Sequence, residues 1–92
     1  MNYVRKLLED ARAAGLNMVV RCEGEIDYKG DDPAAAEKAI TDVDEAQVNF
    51  YTENGHRAGW ALIVNGLDED ERIADTSGQW VNEWCERNIS YV

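Results

Sequence analysis

Asn54-Gly55 lies between two apolar-rich runs in the stretch AQVNFYTENGHRAGWALIVNG, residues 46–66. A two-residue type I′ turn needs positive φ at both central positions, and Asn-Gly is a preferred pair for it. The spacing therefore predicts a hairpin over 45–65, with Glu53 opposite His56, Tyr51 opposite Ala58, Phe50 opposite Gly59, Val48 opposite Ala61 and Ala46 opposite Ile63. In that register the Phe50 ring can cover the bare Gly59. The second strand is apolar on both parities (Trp60, Leu62, Val64 and Ala61, Ile63), which predicts a central strand. The first carries Gln47, Asn49 and Tyr51 on one face, which predicts an edge.

The rest of the chain supplies layers for this hairpin. Val4, Leu7, Leu8, Ala11 and Ala14 recur at helical spacing, with Asn2 placed to cap and Gly15 to terminate, giving a helix over about 3–14. In NMVVRCEGEIDYKG, Met18, Val20, Cys22, Ile26 and Tyr28 share one parity while Arg21, Glu23, Glu25 and Asp27 share the other. That alternation predicts one strand over 17–28, wet on one face, with Gly24 at a bulge or bend and the carboxylates in a row about 6.7 Å apart. Asp32-Pro33 opens a second helix over about 33–41. Asp68 and Glu71 have capping-box spacing, predicting a helical turn at 69–74. Thr76 and Gln79 repeat it ahead of a third helix at 77–88, whose stripe is Trp80, Val81, Trp84 and Cys85. The expected fold is one α+β domain, residues 1–92. Its sheet would be three-stranded and antiparallel (hairpin 45–65 plus strand 17–28), with helices on one face and the order α–β–α–β–β–α.

Charge is the unusual property. The 92 residues carry 19 acids against 9 bases, a formal net charge of -10. Direct binding of DNA, RNA or an anionic membrane needs Lys and Arg to neutralise phosphates, so the balance argues against all three. It favours a basic partner protein. Two candidate acidic rows are Glu23, Glu25, Asp27, Asp31, Asp32 and Asp68, Glu69, Asp70, Glu71, Asp75. The helix macrodipole accounts for one or two carboxylates ahead of the third helix, not for four in succession. Candidate aromatic anchors are Tyr28, Tyr51 and Tyr91.

Enzymatic readings find little support. The single histidine, His56, follows a turn and pairs with no nucleophile in the sequence. No phosphate-binding loop occurs. One histidine and two separated cysteines cannot form a standard zinc site. DEDERIAD places Arg72 and Ile73 where a calcium loop needs a ligand and a glycine. No catalytic residue, metal or cofactor is therefore expected. Cys22 and Cys85 read as reduced thiols, each on an apolar face. Acids within the N-terminal apolar stretch and the lack of a long apolar run predict a cytoplasmic protein without membrane association.

The stretch GHRAGWALIVNGLDEDERIADTSGQWVNEW resembles small acidic accessory proteins of bacteriophages, in which a hairpin ends in a GWALxxxGLDxDExxxD-like pattern ahead of a tryptophan-rich helix. The resemblance covers about residues 45–85 and brings no catalytic residue. It implies an anti-CRISPR or anti-restriction type of host-takeover inhibitor, acting in the host cytoplasm, some of whose members resemble nucleic acid in charge. The expected function is a non-enzymatic protein, monomer or homodimer. It would dock an acidic surface on the basic nucleic-acid-binding site of a host protein, possible DNA mimicry included. The alternative is an assembly protein that self-associates through a sheet edge or apolar face.

Overall fold

The computed structural model describes residues 2–66 and 71–89. The elements are α1 (Tyr3–Ala13), β1 (Asn17–Cys22), β2 (Glu25–Gly30), α2 (Pro33–Thr41), β3 (Glu45–Tyr51), β4 (Arg57–Val64), β5 (Ile73–Ser77) and α3 (Gln79–Asn88). The class is α+β, but the sheet has five antiparallel strands in the order β2-β1-β3-β4-β5, not three. Two expectations account for the difference.

The predicted strand over 17–28 is a hairpin. Glu23 and Gly24 take φ of 52° and 83°, and Cys22 pairs with Glu25. That is the type I′ geometry anticipated at Asn54-Gly55. A two-residue turn exchanges the faces of the following strand. A register shift across from Val20/Arg21, which leaves Asp27 as the extra residue, exchanges them back. Met18, Val20 and Tyr28 therefore share a face although a turn separates them. Ile26, caught between the two exchanges, lies 52% exposed.

Residues 73–77 form a strand rather than part of a helical turn, because Ile63 pairs with Ile73 and Leu62 with Asp75 along β4. Helix α3 starts at Gln79 behind Gly78, which has φ 97° and no side-chain cap. Thr76 instead donates its hydroxyl to Asn82 Oδ1 at 2.7 Å. The third correction concerns β3, expected at an edge. It lies between β1 and β4, and its polar parity reports a face that no helix covers.

The β3–β4 register holds from Ala46–Ile63 to Phe50–Gly59 and then shifts. Tyr51 pairs with Arg57, and the loop closes by Thr52 N–H to the His56 carbonyl at 2.7 Å and Gly55 N–H to the Thr52 carbonyl at 2.9 Å. Gly55 has positive φ and Asn54 does not. The loop is thus a type I turn followed by a left-handed glycine, the three-residue alternative to the type I′ turn.

All three helices bury their stripes on one sheet face. Val4, Leu7 and Leu8 of α1, Ala36 and Ile40 of α2, and Val81, Trp84 and Cys85 of α3 form one core with Met18, Val20, Val48, Phe50, Ala61 and Ile63. The Trp80 ring packs on Phe50 with centroids 5.8 Å apart. Polar ties fix the helices to one another. Asn2 caps α1 through Arg5 N–H and also donates to Glu37 Oε2 on α2, while Arg5 donates twice to Glu37 Oε1. The Trp84 indole N–H reaches Asp10 Oδ2 at 2.8 Å, joining α3 to α1.

Candidate functional site

Strand direction decides where the acids meet. β1 ends, and β3 begins, at the same end of the sheet, since Arg21 pairs with Gln47. β4 also ends there, because Glu45 pairs with Val64. The β1–β2 turn, the α2–β3 connection and the flanks of the β4–β5 connection therefore share one pole of the molecule. Glu23, Glu25 and Asp27 arrive from the first segment, Asp42, Asp44 and Glu45 from the second, and Glu71 from the third. All are exposed.

Asn65 holds this pole together. Its Nδ2 donates to the carbonyls of Ile40 and Val43 at 2.7 and 2.6 Å, its Oδ1 accepts from Arg72, and its backbone N–H donates to the Asp44 carbonyl. A groove of about 760 Å³ opens beside it, lined by Arg21, Cys22, Glu23, Asp44, Glu45 and Leu62 among others.

The half-buried Cys22 thiol senses the local field. Its pKa is raised, first by loss of water around the sulfur and then by the negative charges of Glu23, Asp27, Asp44 and Glu25. Among the described residues the ion pairs are Arg5–Glu9, Arg5–Glu37, Lys6–Asp10 and Lys38–Asp42. Most of these carboxylates belong to the helices, and Asp42 is the one at the pole.

The two expected rows are not continuous. Glu23 occupies the turn, Glu25 pairs across from Cys22 and Asp27 sits at the irregularity. Asp31 and Asp32 lie at the opposite end of β2, where Asp32 caps α2 by accepting from Ala34 N–H at 3.0 Å. Asp75 is on β5 opposite Leu62, and Asp68, Glu69 and Asp70 lie outside the described residues. Sequence reasoning missed Asp42, Asp44 and Glu45. The signal available was the concentration of acids in TDVDEAQ, which follows directly from the end of α2.

Comparison with protein-family models, with curated proteins and with solved structures finds no match for this chain. The site is accordingly read from its chemistry.

Of the aromatic anchors, Tyr28 is half-buried against the core and accepts a hydrogen bond from Asp32 N–H at 2.8 Å. Tyr51 lies on the helix-free face, beside Arg21, Lys29 and Val19 in a second groove of about 670 Å³. Tyr91 lies outside the described residues. Cys22 and Cys85 form no disulfide. Cys85 is buried in α3, whereas Cys22, on the same parity of β1 as the core residues Met18 and Val20, ends the strand at the acidic pole and is only half-buried. His56 is exposed in the β3–β4 loop. Among the described residues no group of three or more His, Cys, Asp or Glu could hold a metal, and no helix is long and apolar enough to cross a membrane.

Proposed function

We propose that this chain is a non-enzymatic binding protein whose acidic pole docks against a basic protein surface of the kind that contacts nucleic-acid phosphates. The supporting observation is the convergence of carboxylates from three separate chain segments on one end of the sheet, where Glu23, Glu25, Asp27, Asp42, Asp44, Glu45 and Glu71 outnumber the described bases Arg21, Lys38 and Arg72. Such an array gives a partner's Lys and Arg several anions at fixed spacing. It would speed encounter and set orientation more than it adds raw affinity. The partner would be a host defence or nucleic-acid-processing protein, with the acidic pole occupying its phosphate groove in place of DNA or RNA. The bacteriophage resemblance supports the same class of partner by analogy.

The test is displacement of a labelled duplex or single strand from basic nucleic-acid-binding proteins, including CRISPR effectors and restriction enzymes. One of them should release its nucleic acid on addition of this chain. Release should weaken at least about tenfold between low and high salt, and again in a Glu23→Gln/Asp44→Asn/Glu45→Gln variant. Displacement that ignores both salt and the triple variant would overturn the role of the pole.

A further inference from the structure

Among the described residues no helix packs on the sheet face opposite the core, which is partly apolar, and its lateral rows can be read from the strand pairing. One row runs Ile26–Arg21–Gln47–Leu62–Asp75 from β2 to β5. The next runs Lys29–Val19–Asn49–Trp60–Ser77. Directly paired residues of an antiparallel sheet project to the same side. In these two rows the cations lie on the β1–β2 half and the anion on β5, with Val19, Trp60 and Leu62 between them; Glu45 on β3 and Arg57 on β4 flank the rows on the same face.

Asn49 sits on the third of the five strands, at the middle of this face. It is 2% exposed. Its Oδ1 accepts from Arg57, but its buried Nδ2 has no hydrogen-bond partner among the described residues. A buried amide donor left unpaired has lost its bond to water and gained none in return. Such a group is normally satisfied. An unsatisfied donor at the centre of an open apolar face points to an occupant that supplies an acceptor there.

We infer that the occupant is a second copy of this chain, packed sheet to sheet about a two-fold axis that runs along the strands through β3. An isologous interface requires a self-complementary patch. This rotation lays the first row reversed over itself: Ile26 over Asp75, Arg21 over Leu62 within reach of Asp75, Gln47 over Gln47. The second row then brings Val19 over Trp60, Lys29 over Ser77, and Asn49 over Asn49. Two such amides can exchange Nδ2–H to Oδ1 hydrogen bonds across the axis, once Arg57 shifts aside. The alternative axis, across the strands, would set Arg21 and Lys29 against their own copies, whereas the chosen axis leaves one like pair, Glu45 over Glu45, at the exposed rim where salt screens it. Aligned sheets pack about 10 Å apart with a twist near 30°. The dimer does not depend on the proposed function. With this axis, both acidic poles lie at the same end of the assembly.

The test is sedimentation equilibrium of the full chain across concentration. The mass should approach twice 10.4 kDa. Added salt should favour the dimer, because each copy carries a net charge of -10. Leu62→Glu should yield monomer. Arg21→Glu and Asp75→Lys should each weaken association about tenfold, and the pair combined in one chain should restore it. If Arg21→Glu lowers the melting temperature, Lys29→Glu with Ser77→Glu and then Ser77→Lys replaces that cycle, Lys29→Glu recovering only with Ser77→Lys. A monomer at every concentration up to about 1 mM, where even weak dimers form, would overturn the inference. So would a dimer indifferent to Leu62→Glu, or a double exchange that fails to rescue.

Discussion

Asp10 shows how much one side chain can connect. Its Oδ2 accepts from the Trp84 indole N–H at 2.8 Å and from Lys6 Nζ at 2.9 Å. The Asp10 carboxyl is held below the ordinary carboxylate range, first by Trp84, against the opposing effect of burial, and then by Lys6 and Arg87. A folded-state value below the unfolded one means stability that is present above about pH 4 and lost as pH falls through the folded value. Asp10→Asn should destabilise the chain by about 1 kcal/mol at neutral pH, since the carboxylate is partly solvated. Its melting temperature should also change less than the wild type's between pH 6 and 3 as far as this residue contributes. Equal pH dependence in the two proteins would refute the assignment. At the acidic pole, Cys22 offers a separate readout. Asp44→Asn removes one of the charges that raise the thiol pKa, so alkylation near pH 8 should accelerate a few-fold, and added salt should narrow the gap between variant and wild type. An unchanged rate would show that Asp44 does not act on the sulfur.

Two backbone positions control the elements. Glu23 is the only non-glycine residue described with positive φ, at 52°. Left-handed backbone disfavours most L-residues, and Asn tolerates it better. Glu23→Asn should therefore stabilise the β1–β2 hairpin by about 1 kcal/mol or less, read as a rise of a few degrees in melting temperature. A fall would contradict the turn assignment. Gly59 is a different case. A Cβ there would stand 2.5 Å from the Ser77 carbonyl oxygen and 2.7 Å from Val81 Cγ2, and a Cβ on Gly78 would in turn stand 2.4 Å from Gly59 Cα. Paired glycines let the start of α3 lie directly on β4. The contact also explains why Phe50, although opposite Gly59 as expected, turns its ring to Trp80 instead. Gly59→Ala should cost about 2–4 kcal/mol, enough to lower the melting temperature by roughly 10 °C or more in a chain this size. An unchanged midpoint would mean that α3 can withdraw without loss.

At the scale of the whole molecule, the three features have distinct places. The helices seal one sheet face, no described helix packs on the other, which has Asn49 at its centre, and carboxylates gather at the end where the β1–β2, α2–β3 and β4–β5 connections meet. Much of the local structure was legible in the residues. Helix α2 begins and ends where Asp32-Pro33 and the alanines place it, because N-cap chemistry and helix propensity act within a few positions. The β3–β4 pairing followed from periodicity and one turn signal. The strand count did not, and the reason lies in period-2 arithmetic: a two-residue turn and one extra residue cancel, so a hairpin has the hydrophobic pattern of a single strand. Residues 73–77 carry one core residue, Ile73, too weak a pattern to declare a strand until β4 supplies a partner. The positions of the carboxylates were decided by topology. Asp31 and Asp32 are adjacent to β2 in sequence yet lie at its far end, whereas Asp44 is remote from Glu23 in sequence and acts on the same thiol. Local chemistry extends over a few residues and is written in the chain directly. The joining of distant segments depends on which strands pair, and that is settled only when the core on one side of the sheet closes.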